Sequence, residues 1–290
     1  MAVPADFGPM SAEEPEDRST AFAAASVPDN YQRLLAPVIF EPWARVLVDA
    51  VGVKSSDRVL DVASGTGVVA RLAARYTGPR GRVVASDASG PMLSHSARQP
   101  LPVQSAPIEF IEALATELPL PTESFDVVLC QQGLQFFSDR VDAVREMLRV
   151  LRVGGVVGAA VWAADYRSEP FDDYAEALDD AGLEPPFPRA FDRASFKMSA
   201  QDVRALFKEA GVSAPEVSVV EQTIVWPDSE TACAGILGTP FGPMLEALSP
   251  ADREAVEADL ARRFAPDADG APIKRIAAAV IVRAVKPATR

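Results

Sequence analysis

The 290 residues, 48% hydrophobic and 24% charged, provide enough apolar material for one large α/β domain or a core with an added subdomain. A net charge of −13 repels phosphate backbones and anionic lipid surfaces, which argues against nucleic acid and membrane as partners; the plain role of that acidity is solubility. Cys130 and Cys233 form no C-x-x-C pair and fit reduced thiols in a cytoplasmic protein, and no apolar run is long enough for a membrane span.

Residues 1–20, with Pro4, Pro9, Pro15 and a cluster of acids, read as a mobile leader rather than a signal or transit peptide. Residues 21–56 read as N-terminal helices, with apolar spacing in 31–35 and 43–48 punctuated by Pro37 and Pro42. From residue 57 the pattern changes to short apolar runs alternating with helical stretches. Strands are predicted at 58–62, 82–86, 107–111, 125–130 and 156–162, and helices at 68–76, 92–98 and 142–151, with Gly154-Gly155 ending the last. Strands joined through helices by short loops imply a parallel sheet covered on both faces. Residues 57–163 are thus a ligand-binding core. Over 164–290 helices are predicted at 171–181, 200–210, 229–236 and 250–264. Two further strands, 215–226 and 273–285, complete the sheet antiparallel to each other, and the helices cap the site.

The chemistry concentrates in Val59-Leu60-Asp61-Val62-Ala63-Ser64-Gly65-Thr66-Gly67-Val68-Val69-Ala70. Glycines between a strand and a helix let backbone approach a ligand closely. Asp87, at the end of the second strand, falls beside that loop in a doubly wound sheet and can accept both hydroxyls of a ribose. The segment Gly65-x-Gly67-x-x-Ala70 also satisfies a dinucleotide fingerprint, so an NAD-dependent oxidoreductase competes. Asp61 argues against it, because an acid before the loop suits a ligand ammonium better than a pyrophosphate.

Three further segments accompany the loop: Ser86-Asp87-Ala88-Ser89-Gly90-Pro91-Met92-Leu93, then 113–128, then Glu146 to Gly155. Together, over residues 30–163, they resemble class I S-adenosyl-L-methionine-dependent methyltransferases of the ubiquinone/menaquinone methylase-like group. The resemblance implies a Rossmann-like seven-stranded, mostly parallel sheet with helices on both faces, N-terminal helices and a helical cap. It implies that Gly65 and Gly67 approach the methionine part of the cofactor and that Asp87 takes the ribose. Ala88 and Met92 would flank the adenine, the Leu114-Ala115 turn would meet its edge, Gln131 would lie along the methionine tail, and Tyr31 would close over the site. Two positions depart from the family pattern. Ala63 replaces its first glycine, and Leu114 stands where many relatives carry an aspartate.

Methyl transfer from a sulfonium needs alignment more than acid–base groups. The single histidine, His95, is a candidate base, although a surface or capping role is plainer, and it rules out multi-histidine metal sites. Gln135 is a candidate for orienting the acceptor, whereas Phe136 and Phe137 read as packing. Trp162, Tyr166 and Phe171 are candidate walls of an apolar acceptor pocket, with Trp226 and Phe241 in the cap. The expected partner is a small-molecule acceptor such as a quinone or a secondary metabolite, and a homodimer is compatible with the sequence. The alternatives are a methyltransferase-fold enzyme that uses the bound cofactor for cyclisation or decarboxylation, and a non-catalytic subunit.

Overall fold

The computed structural model describes residues 27–181, 196–266 and 270–288. The leader expected over residues 1–20 lies outside these, as do residues 21–26 of the expected N-terminal helices. The chain enters through α1 (Val27–Asn30), winds as a π-helix over Tyr31–Phe40 and continues as α2 (Glu41–Val51). The two prolines do not divide this rod. Pro37 lies within the wide π turns, and Pro42 occupies the first turn of α2, where a missing N–H breaks no helical bond.

Alternation follows: β1 (Arg58–Val62), α3 (Val68–Thr77), β2 (Arg82–Asp87), α4 (Gly90–Arg98), β3 (Ile108–Glu112), β4 (Phe125–Gln131), α5 (Arg140–Val150) and β5 (Leu151–Trp162). Then come α6 (Phe171–Asp180), α7 (Ala200–Glu209), β6 (Glu216–Trp226), α8 (Ser229–Ala234), α9 (Gly242–Ala247), α10 (Pro250–Arg263) and β7 (Ile273–Val285). The strands form one seven-stranded sheet in the order β3-β2-β1-β4-β5-β7-β6. β1 to β5 pair in parallel and β6 and β7 run antiparallel to each other, as expected from the sequence; β7 is also antiparallel to β5.

Strand residues alternate between two apolar layers because successive side chains point to opposite faces. Val59, Val83, Val127 and Leu129 pack with Trp43, Leu47 and Ala73 of α2 and α3. Leu60, Val84, Val128 and Cys130 pack on the other face with Met147 of α5 and Phe207 of α7. Side chains fix several helix starts: Ser89 Oγ accepts from Met92 N–H before α4, and Ser199 with Asp202 forms a capping box before α7.

One boundary differs from the sequence expectation. Gly154-Gly155 does not end a helix; α5 stops at Val150, and β5 begins at Leu151. Phe125 pairs with Leu151 but Val127 pairs with Val156, so residues 152–155 bulge out opposite Asp126. Gly154 takes φ +73°, a conformation that glycine adopts without steric cost, and Lys286 and Gly155 rejoin the ladder at 2.9 Å. A second difference is the 3₁₀ turn Gly235–Gly238 that continues α8, followed by the unexpected α9.

Strand order reverses between β1 and β4. In an open α/β sheet the crevice outside the carboxyl ends at that point is where ligands bind.

Candidate functional site

β1 ends in a turn whose shape its neighbours impose. Ala63, Gly65 and Gly67 all have positive φ, at +56°, +54° and +80°. Ser64 N–H donates to Ser86 O at 3.0 Å, tying the turn to β2. Asp87, at the tip of β2, accepts from Gly65 N–H at 2.7 Å and from Ser89 N–H at 2.8 Å. It therefore holds the glycine turn and the start of α4 on one carboxylate. Burial pushes the Asp87 carboxyl above its ordinary range, against the pull of these backbone donors.

Asp61, at the end of β1, is only 1% accessible. Neither of its oxygens has a close hydrogen-bond partner, and burial pushes its carboxyl well above the ordinary range, only partly offset by the Ala70 backbone and the charge of Arg71. Both acids line one cavity of about 870 Å³ at the switch point. A buried carboxylate without a partner is costly unless a ligand supplies donors.

The cavity has two chemically distinct ends. Beside the acids stand Ala63, Gly65, Ala88, Met92, Leu114 and Ala115, a mostly apolar wall interrupted by backbone groups. At the aromatic end stand Phe40, Phe136, Trp162, Phe171 and Phe196, a run of neighbouring rings, whereas Phe137 lies by Ala63 across Gly133. Tyr31 lies over the junction, its ring stacked on Phe40 at 4.6 Å between centroids. Its hydroxyl is pushed well above the usual value, by burial first and then by Asp87 and Asp61. Gly238 lets the 3₁₀ turn lie against the Tyr31 backbone, since a Cβ there would stand 2.9 Å from Tyr31 N and Cα.

Gln131, at the end of β4, donates through Nε2 to Phe40 O at 3.1 Å, while its buried Oε1 is left without a partner. Gln135 is 1% exposed and on the cavity wall, and Arg140 fixes its turn by donating to Leu134 O at 3.1 Å and Gln135 O at 3.4 Å.

Eleven of the thirteen residues singled out by sequence line the cavity: Tyr31, Asp61, Ala63, Gly65, Asp87, Ala88, Met92, Leu114, Ala115, Gln131 and Gln135. Gly67 and His95 stand behind the wall. Gly67 begins α3, and a Cβ there would stand 2.0 Å from Ser96 Oγ. His95 is bonded through Nδ1 to Asp29 Oδ1 at 2.7 Å and through Nε2 to Gln99 Nε2 at 2.7 Å, which ties α1 to α4.

Among the aromatics, Phe136 and Phe137 are cavity wall as well as packing, Tyr166 is 37% exposed at the surface, and Trp226 is wholly buried in the core. Sequence reasoning passed over Gln132, Ser168, Asp172, Phe196 and Lys197, all on the cavity wall. Gln132 carries a signal only in its backbone, a positive φ of +53° just after a strand.

Residues 60–159 match the family model described as "Methyltransferase domain". The matched segment includes most of β1, all of β4, Asp61, Asp87 and the glycine turn. Among curated proteins, the chain is 36% identical over 148 residues to the ubiquinone/menaquinone biosynthesis C-methyltransferase UbiE of Hahella chejuensis, covering 51% of this chain and 59% of that protein. It is 41% identical over 114 residues to the same-named protein of Pseudomonas fluorescens, covering 39% of this chain and 44% of that one. The chain thus spans three fifths or less of the length of these relatives. A putative methyltransferase from Bacillus halodurans shares the fold with a TM-score of 0.53 at 20% identity, over 84% of this chain and 98% of that one. The matched segment supplies Asp61, Asp87 and Gly65 to the cavity wall. Much of the aromatic end comes from residues after it, in α6, the segment before α7 and the turn before α9.

Proposed function

We propose that the protein is an S-adenosyl-L-methionine-dependent methyltransferase acting on a small molecule. The observation that carries this reading is one cavity that joins an unpartnered, buried Asp61 carboxylate and the Asp87 carboxylate to an aromatic chamber. Asp61 suits the ammonium of an amino-acid ligand. Asp87 keeps lone pairs for a ribose diol while it holds Gly65 and Ser89. Ala88 and Met92 suit the faces of an adenine, and the Leu114-Ala115 turn suits its edge. Gln131 offers an unpartnered acceptor beside the amino-acid moiety.

When bound there, the cofactor supplies a methyl group already activated as a sulfonium. The protein's part is then to bind, align and exclude water. Alignment of donor and nucleophile is worth about 7–11 kcal/mol of barrier. Gln135 orients the acceptor, Tyr31 closes the junction, and His95 acts from outside the cavity by anchoring α1. Among the described cavity-lining residues, four are aspartates and one is a lysine. Asp61 beside the glycine turn disfavours the pyrophosphate of a dinucleotide. We assign the reaction to the cytoplasm and the acceptor to quinones or secondary metabolites.

Calorimetric titration with S-adenosylhomocysteine, followed by transfer of labelled methyl from S-adenosylmethionine to a panel of acceptors, tests this reading. Binding and a product heavier by one methyl group are expected. Cofactor binding with product of unchanged composition would instead indicate cyclisation, and absence of binding would sink the proposal.

A further inference from the structure

The aromatic end of the cavity contains one cation that the functional reading above does not use. Among the described lining residues Lys197 alone is basic, on a wall that also carries Asp61, Asp87, Asp172 and Asp179. Its side chain is 14% exposed, and Nζ donates to Asp172 Oδ2 at 2.7 Å and to Tyr166 O at 3.1 Å. An ammonium carries three N–H donors, so two protein partners leave one.

Asp172 is already engaged. Its Oδ2 also accepts from Ser168 N–H at 2.7 Å, so it fixes the lysine and the Ser168 backbone together. Ser168 itself is 0% exposed and lines the same cavity, yet its hydroxyl has no hydrogen-bond partner. The lysine ammonium and the Ser168 backbone N–H thus share one carboxylate oxygen, and the serine's unpartnered hydroxyl belongs to the same cavity wall. The aromatic chamber is continuous: centroids are 5.4 Å apart for Trp162–Phe171, 6.4 Å for Phe171–Phe196 and 5.3 Å for Phe136–Phe196.

We propose that Lys197 and Ser168, with Lys197 positioned by Asp172, form a subsite for an anionic oxygen on a planar, conjugated acceptor. The inference rests on reading the aromatic end as the acceptor chamber. A wholly apolar occupant would leave Lys197 and Ser168 with unmet donors, and a protonated amine would meet the lysine with like charge. An acidic oxygen bound as its anion satisfies both groups. Its proton goes to solvent on binding, and Lys197 remains an ammonium throughout.

The test uses 4-nitro-1-naphthol, whose absorbance reports its own ionisation, on the full-length protein. Binding should lower the apparent pKa of the probe by about one unit or more, the effect of a nearby cation. Naphthoate should compete with the probe, while 1-naphthylmethylamine should not. Lys197→Arg should keep most of the shift, and Lys197→Met should abolish it. Because Lys197→Met leaves Asp172 buried without its partner, the double variant Lys197→Met/Asp172→Asn controls for folding and should also show no shift. An unshifted or raised probe pKa on the wild-type protein, an undiminished shift in the double variant, or stronger competition by the amine would overturn the subsite. S-adenosylhomocysteine affinity, measured separately, should be unchanged in these variants. Its absence in the wild type would defeat the methyltransferase reading while the probe still judged the subsite.

Discussion

At the scale of single residues, the site combines two kinds of strain. Ala63 holds φ +56° at a position where the resembled family uses glycine. A left-handed alanine costs roughly 1–2 kcal/mol, whereas introducing glycine costs about 0.4–1 kcal/mol through the unfolded chain. Ala63→Gly is therefore expected to stabilise the protein by about 0.5–1 kcal/mol, the difference of those terms, measured by urea denaturation. The second strain is electrostatic. Burial raises the Asp61 carboxyl above its unfolded value, so between the two values the native state binds more protons than the unfolded state. Stability then falls as pH rises through that window, the reverse of a salt-bridged acid. Asp61→Asn should raise the ligand-free melting temperature at neutral pH, with the gain shrinking as the pH approaches 4. The same variant should weaken S-adenosylhomocysteine binding by about tenfold or more, the worth of a charge-assisted hydrogen bond. Equal affinity in the two proteins would remove Asp61 from the ligand's ammonium. Asp61, Gly65 and Asp87 were legible because a strand, a turn and the next strand place them together within one local unit. Lys197, Asp172 and Ser168 were not, since no motif spacing marks them. The lysine and the aspartate meet across 25 positions only through the packing of α6 against the segment before α7.

At the scale of elements, the alternation of strand and helix was readable because the short apolar runs of β1, β2 and β4 are buried on both faces. The bulge at residues 152–155 was not, because Gly-Gly reads equally as a helix stop and as a break in a ladder, and only the β4 and β7 neighbours decide. The N-terminal rod raises a sharper question. Asp29 in α1 is joined to His95 in α4 at 2.7 Å, although the Asp29 side chain is 76% exposed. The second ring nitrogen, Nε2, lies 2.7 Å from Gln99 Nε2, so both nitrogens of the ring are engaged. The Asp29 contact is a latch on the segment that carries Tyr31. His95→Ala is expected to speed amide exchange across residues 27–40 and to raise the Michaelis constant for the cofactor a few-fold, while the turnover number at saturation stays near that of the wild type. A turnover number lowered by about 10²-fold or more would restore His95 as a general base. Gln99→Leu, which spares the Asp29 contact, should leave exchange in that segment unchanged.

At the scale of the whole molecule, the cavity wall draws on residues from Tyr31 to Phe241, and the seven-stranded sheet is shared by the segments before and after residue 163. The apolar layer on one face also crosses that division: Trp43, Leu129 and Trp162 lie in one cluster with Tyr174, Trp226 and Ile281. We therefore expect the cofactor core and the cap to unfold as one cooperative unit. A ligand that touches both should raise the entire transition. At a hundredfold excess over its dissociation constant, a ligand adds about 2.7 kcal/mol, and each kcal/mol moves the midpoint by roughly 2–4 °C for a chain of this class. Scanning calorimetry with S-adenosylhomocysteine should thus show one peak displaced upward by about 5–10 °C, the product of those two figures. The displacement should be smaller in Asp61→Asn at equal ligand concentration, because the affinity term falls while the protein itself is more stable. Two peaks, of which only the first moves with ligand, would mean that the segment after residue 163 folds independently. The acceptor chamber would then be assembled by docking of a separate unit, and the Lys197 corner would form only when that unit closes.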